Sequence, residues 1–563
     1  MYAKQILINL KKFTTDFLRC YKFSIIYFFF LLYVAFKPNG FIFSSVLIVN
    51  IISIMLLLAL ITKIPSKFIK LILNIIIIFF ISWATFFSLE FSDWIWTNSV
   101  LSILNTDSKE ASDMGYTFLF TAIISIIINI TLILLSEKEF KKKLPFPLSA
   151  IIIFFCFTLL AVGYTTRNLE PRQPASFTTK LLRVKELEIN HQNVIYLTYA
   201  APILYSNIST FYIALQEHIN TRNHIKNIKE RELPIYLETD TTNTQQVDRI
   251  YLIIGETSIR YHYTLYGYNR PTTPFLDSLN KSQTKSLDFY NAITPASTTV
   301  PALLRLLSFS GIHFSNDDLK YMSILGTATN NGYETHWISN QPAIGKHESL
   351  ISTFPTEAQN TYFSDFQPPI DLDFSTVKDI ELIPIIKERH NIDKKQFTIV
   401  HLFGSHINYT SKFDNIDQEA IPKSTEDKFS NNIDNYDRSI HHTDRVLREI
   451  YNILKNDNKS IAIYISDHGE IISMGHGFMK EYRSQYSIPL IFFNFTDIDI
   501  DNLVKKYKNS EDENFNTVNL CYVLAELMGY RVTEDRVQFA LKNSPYIYLH
   551  NGEIKKYESI KNN

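Results

Sequence analysis

Four separated segments downstream of residue 250 contain a carboxylate, a hydroxyl, an aspartate–histidine pair and two further histidines: Glu256, Thr299, Asp467, His468, His406 and His476. Zinc takes nitrogen and oxygen ligands, commonly four of them at about 2.0–2.2 Å. A hydroxyl is a weak nucleophile unless a metal stabilises its alkoxide. The set therefore predicts a hydrolytic zinc site that contains its own nucleophile, with Glu256, Thr299, Asp467 and His468 as the metal ligands.

Most of these residues follow short apolar runs of the second half of the chain. RIYLIIG, THWISN, FTIVHLFG, SIAIYIS and IPLIFFNF have the composition of buried strands, and helical patterns such as VPALLRLLSF alternate with them. This alternation predicts an α/β domain over residues 248–563, with a largely parallel sheet sandwiched between helices. Ligands gather at the carboxyl ends of the strands in such sheets, and Glu256, His406 and Asp467 stand at three of those ends.

Each of these residues also has a purely structural interpretation. Glu256 and Asp467 could each cap a helix, and Thr299 precedes Pro301 in a way that suits an N-cap at the start of a helix. His406 and His476, taken alone, would be ordinary loop histidines. The agreement between independent strand ends favours the functional interpretation.

The first part of the chain has a different composition. Apolar runs at 23–36, 41–61, 71–87, 117–135 and 148–163 predict five membrane-spanning helices in a transmembrane domain over residues 1–165. Basic residues precede the first run, and others lie between the second and third and between the fourth and fifth. This pattern predicts a cytoplasmic N-terminus and places everything after residue 163 outside. Residues 166–247 are expected to form surface amphipathic helices and a linker.

Composition narrows the function only slightly. The net charge of −1 gives no indication of nucleic acid as a partner, and the polar half contains one cysteine, Cys521, so no disulfide can form within it. The acidic loop predicted over 88–116 contains Trp94 and Trp96, which suit a membrane interface. Glu110 in this loop is a candidate contact for a lipid headgroup, and a solvated loop or short interfacial helix is the alternative.

The segments GETSIRYHYTLYGYNRPTTPFL, GSHINY, SDHGE and MGHGF resemble those of the membrane-bound phosphoethanolamine transferases of Gram-negative bacteria, in the alkaline-phosphatase/sulfatase superfamily. The resemblance covers essentially the whole chain, including the five predicted spans. It implies that Glu256, Asp467 and His468 bind zinc. It further implies that His406 and His476 face the substrate or bind a second zinc.

Two other segments resemble parts of this family that bind substrate. The pattern T-D-x-x-E-A in the outer loop resembles a segment implicated in donor lipid binding, which implies that role for Glu110. WISNQPAIGK stands where the family holds the phosphate with an amide and a lysine. That position implies substrate contacts from Asn340, Gln341 and Lys346, although the spacing to Lys346 departs from the family pattern.

The nucleophile segment also departs from the family pattern. Members that modify lipid A carry a cysteine-bearing CGTAT stretch, whereas this chain reads NAITPASTTVPALLRLLSF. Aligning the serine at the helix end, Ser308, places the nucleophile at Thr299, with Thr298 as the alternative. The segment is more similar to the branch that modifies the lipopolysaccharide core or other glycans.

The resemblance implies a transfer in two steps. Thr299 would take phosphoethanolamine from phosphatidylethanolamine, and His406 or His476 would assist its passage to the lipopolysaccharide core, lipid A or another envelope glycan. One tightly bound zinc is implied, a second is left open, and the protein is expected in the bacterial inner membrane with a periplasmic catalytic domain. The alternatives are a phosphoglycerol transferase of the same superfamily, a metal-dependent phosphodiesterase or sulfatase-like hydrolase, and a non-catalytic membrane scaffold.

Overall fold

The strand-like runs downstream of residue 248 form one sheet in the computed structural model of the protein. The structure describes residues 18–37, 45–91, 100, 108–143, 211–212, 215, 231–239, 247–282, 286–315, 318, 320–341, 353–364, 377–406, 408–424, 428–472, 475–476, 481–509, 513–550 and 552–562. The chain divides into two compact units, Met1–Gln216 and Glu217–Asn563.

The second unit is a mixture of strands and helices. Its strands are β1 (Leu237–Thr239), β2 (Arg249–Gly255), β3 (Leu287–Ile293), β4 (Glu334–Ser339), β5 (Asn360–Phe363), β6 (Gln396–His401), β7 (Ser460–Ser466), β8 (Ser487–Asn494), β9 (Phe515–Asn516), β10 (Tyr530–Val532), β11 (Tyr546–Tyr548) and β12 (Ile554–Lys556). The helices among the described residues of the first unit are numbered α1–α4, with their bounds given below. Those of the second are α5 (Pro274–Lys281), α6 (Thr299–Leu307), α7 (Ile324–Asn330), α8 (Thr353–Glu357), α9 (Ile383–Arg389), α10 (Asn415–Ala420), α11 (Lys428–Leu454), α12 (Ile500–Lys506), α13 (Leu520–Leu527) and α14 (Glu534–Asn543).

Eight of these strands form the central sheet, in the order β5-β4-β6-β2-β7-β8-β3-β9. Strands β5, β4, β6, β2 and β7 pair in parallel, and β8 runs antiparallel to both of its neighbours, β7 and β3. The sheet is therefore mixed but largely parallel, as the sequence predicts. In a parallel arrangement the carboxyl ends of β4, β6, β2 and β7 meet at one edge, and the candidate site is built at this edge.

The sheet is buried on both faces, because successive side chains of a strand point to opposite sides. Ile250, Leu252 and Ile254 of β2 belong to one apolar core, which includes the leucines of α6. Tyr251 and Ile253 belong to the other, which is covered by the long helix α11. The five strands predicted from the sequence are all present as β2, β4, β6, β7 and β8.

The first unit contains four helices in the described residues: α1 (Lys22–Phe36), α2 (Ser45–Ile61), α3 (Lys67–Phe91) and α4 (Ser108–Lys143). Helix α4 packs against the other three. Buried hydrogen bonds of Asn129 join α4 to α1 and α3. Its side chain accepts a hydrogen bond from Tyr27 of α1 at 3.0 Å and donates one to Thr85 of α3 at 3.0 Å. Hydrogen bonds of this kind stabilise helix association in lipid, where the hydrophobic effect between helices is weak.

Two helices of the described residues are long and apolar enough to cross a membrane, Lys67–Glu90 within α3 and Leu119–Lys141 within α4. Their outward faces expose large apolar side chains such as Phe68 and Phe120, as a lipid-facing helix would. Helices α1 and α2 contain 15 and 17 residues, and the predicted span at 148–163 lies outside the described residues. The five-span topology therefore stays a prediction.

The loop predicted over 88–116 is shorter than the sequence indicates. Helix α3 continues to Phe91 and α4 begins at Ser108, because polar residues can extend a helix beyond its apolar run. Glu110 consequently lies in the first turn of α4 rather than in a loop.

The segment predicted as a linker is described only in part. Phe211 stacks edge-on against Phe79, Phe80 and Trp83 of α3 in the first unit. Strand β1 of the second unit, from the same predicted segment, pairs with β10. The predicted domain boundaries at 165 and 247 stay predictions.

Candidate metal centre

The register between β2 and β7 brings two acidic residues together. Gly255, the last residue of β2, pairs with Ser466, the last residue of β7, so that Glu256 and Asp467 leave the sheet side by side. The backbone N–H of Asp467 donates to the carbonyl of Gly255 at 3.0 Å, which extends the ladder by one step. Both carboxylates are buried, with 2% and 1% of the residue exposed.

His468 completes a group of three candidate ligands. Its Nε2 lies 3.2 Å from Oε1 of Glu256 and 3.3 Å from Oδ2 of Asp467. Its Nδ1 lies 2.9 Å from the carbonyl oxygen of Gly469, to which it can only donate. In the neutral ring the lone pair is then on Nε2 and points at the two carboxylates. A backbone carbonyl commonly fixes a metal-binding histidine in this way.

The electrostatics of this group are compatible with a bound cation. Burial and the neighbouring carboxylate of Glu256 raise the pKa of Asp467 well above its ordinary value. Within the described part of the chain, Oδ2 of Asp467 has no hydrogen-bond partner. Two buried carboxylates and an imidazole lone pair with ligand atoms within 4.8 Å of one another match the donor types that zinc prefers. The residues present therefore fit a metal ion held by Glu256, Asp467 and His468.

Thr299 is the hydroxyl placed against this group. Its Oγ1 lies 3.2 Å from Nε2 of His468 and 3.5 Å from each oxygen of Glu256. Thr299 is the first residue of α6, and the preceding Thr298 has the extended backbone of an N-cap position. The structure thus places Thr299, the predicted nucleophile, beside the candidate ligands.

His406 and His476 lie beside the same centre. The ring of His476 is 4.2 Å from that of His468 and 5.8 Å from that of His406, measured between centroids. Together with Glu256 they form a second group whose ligand atoms lie within 4.8 Å of one another. Burial, reinforced by the neighbouring histidines, lowers the pKa of His476 well below its ordinary value, which keeps the ring neutral and available as a ligand or base.

The residues predicted to contact substrate have different surroundings. Nδ2 of Asn340 donates to the carbonyl of Val377 at 2.9 Å and to Asp379 at 2.7 Å. Nε2 of Gln341 donates to Oε2 of Glu256 and to the carbonyl of Leu402, both at 3.1 Å. The NH₂ groups of both amides thus donate to other groups of the protein.

Two predicted substrate residues are not placed by these contacts. Lys346 lies outside the described residues. The backbone of Glu110 is helical, and its side chain lies outside the described part of the chain.

Three features of the site could not be recognised in the sequence. Thr257 has a φ of 52°, which is strained for a β-branched residue. Tyr436 of α11 supports this turn, because its hydroxyl accepts from the N–H of Ile259 at 2.8 Å and donates to the carbonyl of Thr257 at 2.7 Å. Asp379 hydrogen-bonds the backbone of the loop that carries His406. The loop that carries His406 offers one signal in the sequence. Gly404, the glycine after the HLF run, indicates that the backbone there approaches another segment closely.

A second cluster in the domain contains the same residue types. Asp414, Asp417 and His442 also have ligand atoms within 4.8 Å of one another. Here, however, Nη1 of Arg445 lies 2.7 Å from Oδ1 of Asp414 and 2.9 Å from Oδ2 of Asp417. The guanidinium supplies the positive charge, and the cluster is explained as a buried ion-pair network.

The chain is similar to known proteins along much of its length. The family model described as "Sulfatase" matches residues 249–530. The chain is 25% identical over 338 residues to the phosphoethanolamine transferase EptC of Escherichia coli O18:K1:H7, covering 57% of this chain and 56% of that protein. It is 24% identical over 421 residues to the phosphoethanolamine transferase EptA of Helicobacter pylori, covering 70% of each. The match to EptC thus spans little more than half of that relative's length.

A solved structure extends the likeness to the fold of most of the chain. The integral membrane protein lipooligosaccharide phosphoethanolamine transferase A of Neisseria meningitidis superimposes with a TM-score of 0.59 at 16% identity, covering 89% of this chain and 93% of that one. At this identity the likeness concerns the fold alone. The resemblance to phosphoethanolamine transferases within the alkaline-phosphatase/sulfatase superfamily is confirmed.

Proposed function

Because the chain belongs to the sulfatase family, we propose that its metal centre transfers phosphoethanolamine from phosphatidylethanolamine to an envelope acceptor. The acceptor class is the lipopolysaccharide core, lipid A or another glycan of the cell envelope. The support from relatives is that curated proteins similar to this chain are named phosphoethanolamine transferases. Transfer of a phosphoryl group depends mainly on positioning and on charge stabilisation, and the centre offers both.

One observation carries the proposal: a hydroxyl at a helix N-terminus lies against a group of buried metal ligands. Oγ1 of Thr299 is 3.2 Å from Nε2 of His468, and α6 begins at this residue. A phosphate attached to Thr299 would meet the positive end of the helix dipole and the backbone N–H groups of Thr299 and Val300, while Pro301 has no N–H to offer. A structural N-cap would instead direct its hydroxyl back to its own helix.

The first step is attack of Oγ1 of Thr299 on the phosphorus of phosphatidylethanolamine. Oγ1 loses its proton, the bond from phosphorus to the diacylglycerol oxygen breaks, that oxygen takes up a proton as diacylglycerol leaves, and phosphoethanolamine stays on the threonine. A zinc ion held by Glu256, Asp467 and His468 would supply the Lewis acidity that favours the threonine alkoxide and neutralises the phosphoryl oxygens. Gln341 keeps the Glu256 carboxylate in place through its 3.1 Å hydrogen bond.

The second step transfers the group from Thr299 to a hydroxyl or phosphate of the acceptor. The acceptor oxygen attacks phosphorus, the bond to Oγ1 breaks, and the proton of the acceptor passes to a base. His476, whose lowered pKa favours the neutral ring, and the neighbouring His406 are the candidates for this base. The same pair, together with Glu256, could instead hold a second zinc.

Placement at a membrane follows from the donor being a lipid. We propose a multi-pass inner-membrane protein with a cytoplasmic N-terminus and a periplasmic catalytic domain, supported by the two long apolar helices of the first unit. Anchoring raises the effective concentration of a donor in the same leaflet without tight binding. Glu110 and Lys346 remain the proposed contacts to the donor.

Intact-mass spectrometry tests the proposal directly. The purified full-length protein is incubated with phosphatidylethanolamine vesicles and its mass is measured. It is then digested, and the modified peptide is identified. A phosphoethanolamine adduct on Thr299, absent from Thr299→Ala and retained in the matched variant Thr298→Ala, is the expected result. An adduct lost only in Thr298→Ala would move the nucleophile by one residue.

Other lipids distinguish the alternatives. A glycerophosphate adduct that forms only with phosphatidylglycerol would show that phosphatidylglycerol, and not phosphatidylethanolamine, is the donor. Release of free phosphoethanolamine without transfer to any lipopolysaccharide fraction would identify a hydrolase instead.

A further inference from the structure

One buried carboxylate, that of Asp379, joins the two loops that surround Glu256. Asp379 is 5% exposed and begins a single 3-10 turn that precedes α9. Its Oδ1 accepts from Nδ2 of Asn340 at 2.7 Å and from the N–H of Phe403 at 2.8 Å. Its Oδ2 accepts from the N–H of Gly404 at 2.9 Å. The loops after β4 and β6 therefore share one anchor.

The loop after β4 acts on Glu256 through a side chain. Asn340 is bound to Asp379, and the next residue, Gln341, donates from Nε2 to Oε2 of Glu256 and to the carbonyl of Leu402, both at 3.1 Å. Because both hydrogens of this amide are used, Gln341 fixes the orientation of the carboxylate. Displacing Asn340 would displace the neighbour that orients the ligand.

The loop after β6 acts on Glu256 through the backbone. At Gly404 a Cβ atom would lie 2.5 Å from the backbone nitrogen of Glu256, and its φ of 55° also favours glycine. The N–H of Ser405 donates to the carbonyl of Glu256 at 2.9 Å. His406 follows directly, so the contacts that seat this loop also set the position of that histidine.

We propose that Asp379 is a positioning residue of the metal centre: it fixes both loops so that Gln341 orients Glu256 and His406 stays beside it. Loss of a residue that contacts a metal ligand, rather than the metal itself, typically lowers metal affinity or activity about 10- to 100-fold. The inference rests on the proposed function only in taking Glu256 as a metal ligand. Asn340 is then part of the same support rather than a contact to substrate.

Zinc affinity of the full-length protein in detergent, measured by competition with a chromophoric chelator, tests the inference. In Asp379→Asn one acceptor oxygen becomes an NH₂ group that faces a backbone N–H, so the loops lose their common anchor. The expected result is a fall in zinc affinity of about 10- to 100-fold. Glu381→Gln is the matched control, since Glu381 lies on the same turn with an exposed side chain, and its zinc affinity should equal that of the wild type.

Hydrogen exchange of the amides at 403 and 404 provides a second measurement that needs no metal. It should accelerate in Asp379→Asn and not in Glu381→Gln. Faster exchange with unchanged zinc affinity would overturn the proposal, because Asp379 would then support the loops without affecting the centre. If Asp379→Asn does not fold, Asn340→Ala removes only the link to the β4 loop, and unchanged zinc affinity in that variant would equally overturn it.

Failure of the proposed function gives a different result. A wild-type protein that binds zinc and shows the expected loss in Asp379→Asn, but forms no adduct with phosphatidylethanolamine, would refute the donor and leave the positioning role intact. A wild-type protein that binds no zinc would overturn both.

Discussion

Two clusters of the second unit contain carboxylate and histidine side chains with ligand atoms within 4.8 Å of one another, yet they are neutralised differently. The guanidinium of Arg445 contacts the carboxylates of Asp414 and Asp417, and His442 contacts Asp417. At the other cluster, the only basic side chain within ion-pair distance of Asp467 among the described residues is His468. Distance alone would identify both as metal sites.

The difference appears in the ionisation of the two aspartates. Although burial opposes ionisation, hydrogen bonds from His441 and His442 hold the pKa of Asp417 well below its ordinary value. At Asp467, burial and a second carboxylate raise the pKa well above it. A cluster whose charges are balanced by its own side chains has a structural role, whereas excess buried negative charge is neutralised only by taking up a proton or an external cation.

The largest effect is expected from removing one ligand of the proposed metal centre. Asp467→Asn should lose most of its bound zinc, because an amide is a neutral and weaker ligand than a carboxylate. Transfer should fall by more than about 100-fold, the upper range for losing even an indirect metal partner. Elemental analysis of the purified protein measures the zinc content. Asp417→Asn is the matched control, and equal zinc loss in both variants would remove the distinction between the clusters.

Removing the internal cation of the other cluster should affect stability instead. Arg445→Met leaves Asp414 and Asp417 without their guanidinium, and breaking a buried pair in this way costs about 3–5 kcal/mol. Urea denaturation in detergent micelles measures the free energy of unfolding. Arg448 lies on the same helix, and its half-exposed side chain pairs with Glu449. Arg448→Met should therefore lower the free energy of unfolding by less than about 1 kcal/mol. A similar cost for both variants would show that Arg445 does not hold the cluster together.

The candidate ligands at the strand ends could be predicted from the sequence, whereas the residues that support them could not. Glu256, Asp467 and His468 follow apolar runs, and parallel pairing brings such positions to one edge whatever the loops do. The strands β3, β5 and β9 were not predicted, because they are short or carry polar residues along their length.

Supporting residues depend on contacts between loops, which leave no periodic signal. Asp379 lies 24 residues before the Phe403 amide that it binds, and nothing near it in sequence indicates that contact. The amides of Asn340 and Gln341 stand at the strand end where the sequence places them. Their hydrogen-bond partners could be known only from the folded loops.

The pH dependence of stability should also distinguish the clusters. A carboxyl group whose pKa is lowered by folding contributes stability above its unfolded pKa of about 3.9 and loses it as the pH falls toward the folded value. For Asp417, whose pKa is lowered, the wild type should therefore lose stability below about pH 4. Urea denaturation between neutral pH and this range should show a smaller decrease for Asp417→Asn. An identical decrease in both proteins would exclude Asp417 as its source.

The smallest effect concerns the backbone next to the metal centre. Thr257 and Asn408 are the non-glycine residues with positive φ among those described, at 52° and 68°, and asparagine tolerates this conformation much better than a β-branched residue. Strain of this kind costs about 1–3 kcal/mol, while the flexibility of glycine costs about 0.5–1 kcal/mol in the unfolded chain. Thr257→Gly should therefore raise the free energy of unfolding by about 1 kcal/mol, and Asn408→Gly should leave it nearly unchanged.

The backbone bonds of Thr257 explain why this gain should leave the metal centre intact. Its N–H donates to Oδ1 of Asp467 at 3.2 Å and its carbonyl accepts from Tyr436, and glycine retains both groups. Its hydroxyl is buried without a hydrogen-bond partner in the described part of the chain, so deleting it removes a further unfavourable term. Zinc affinity in Thr257→Gly should match the wild type. A destabilised Thr257→Gly protein with reduced zinc affinity would mean that the strained side chain itself helps to hold the ligands, and that strain as well as charge separates the two clusters.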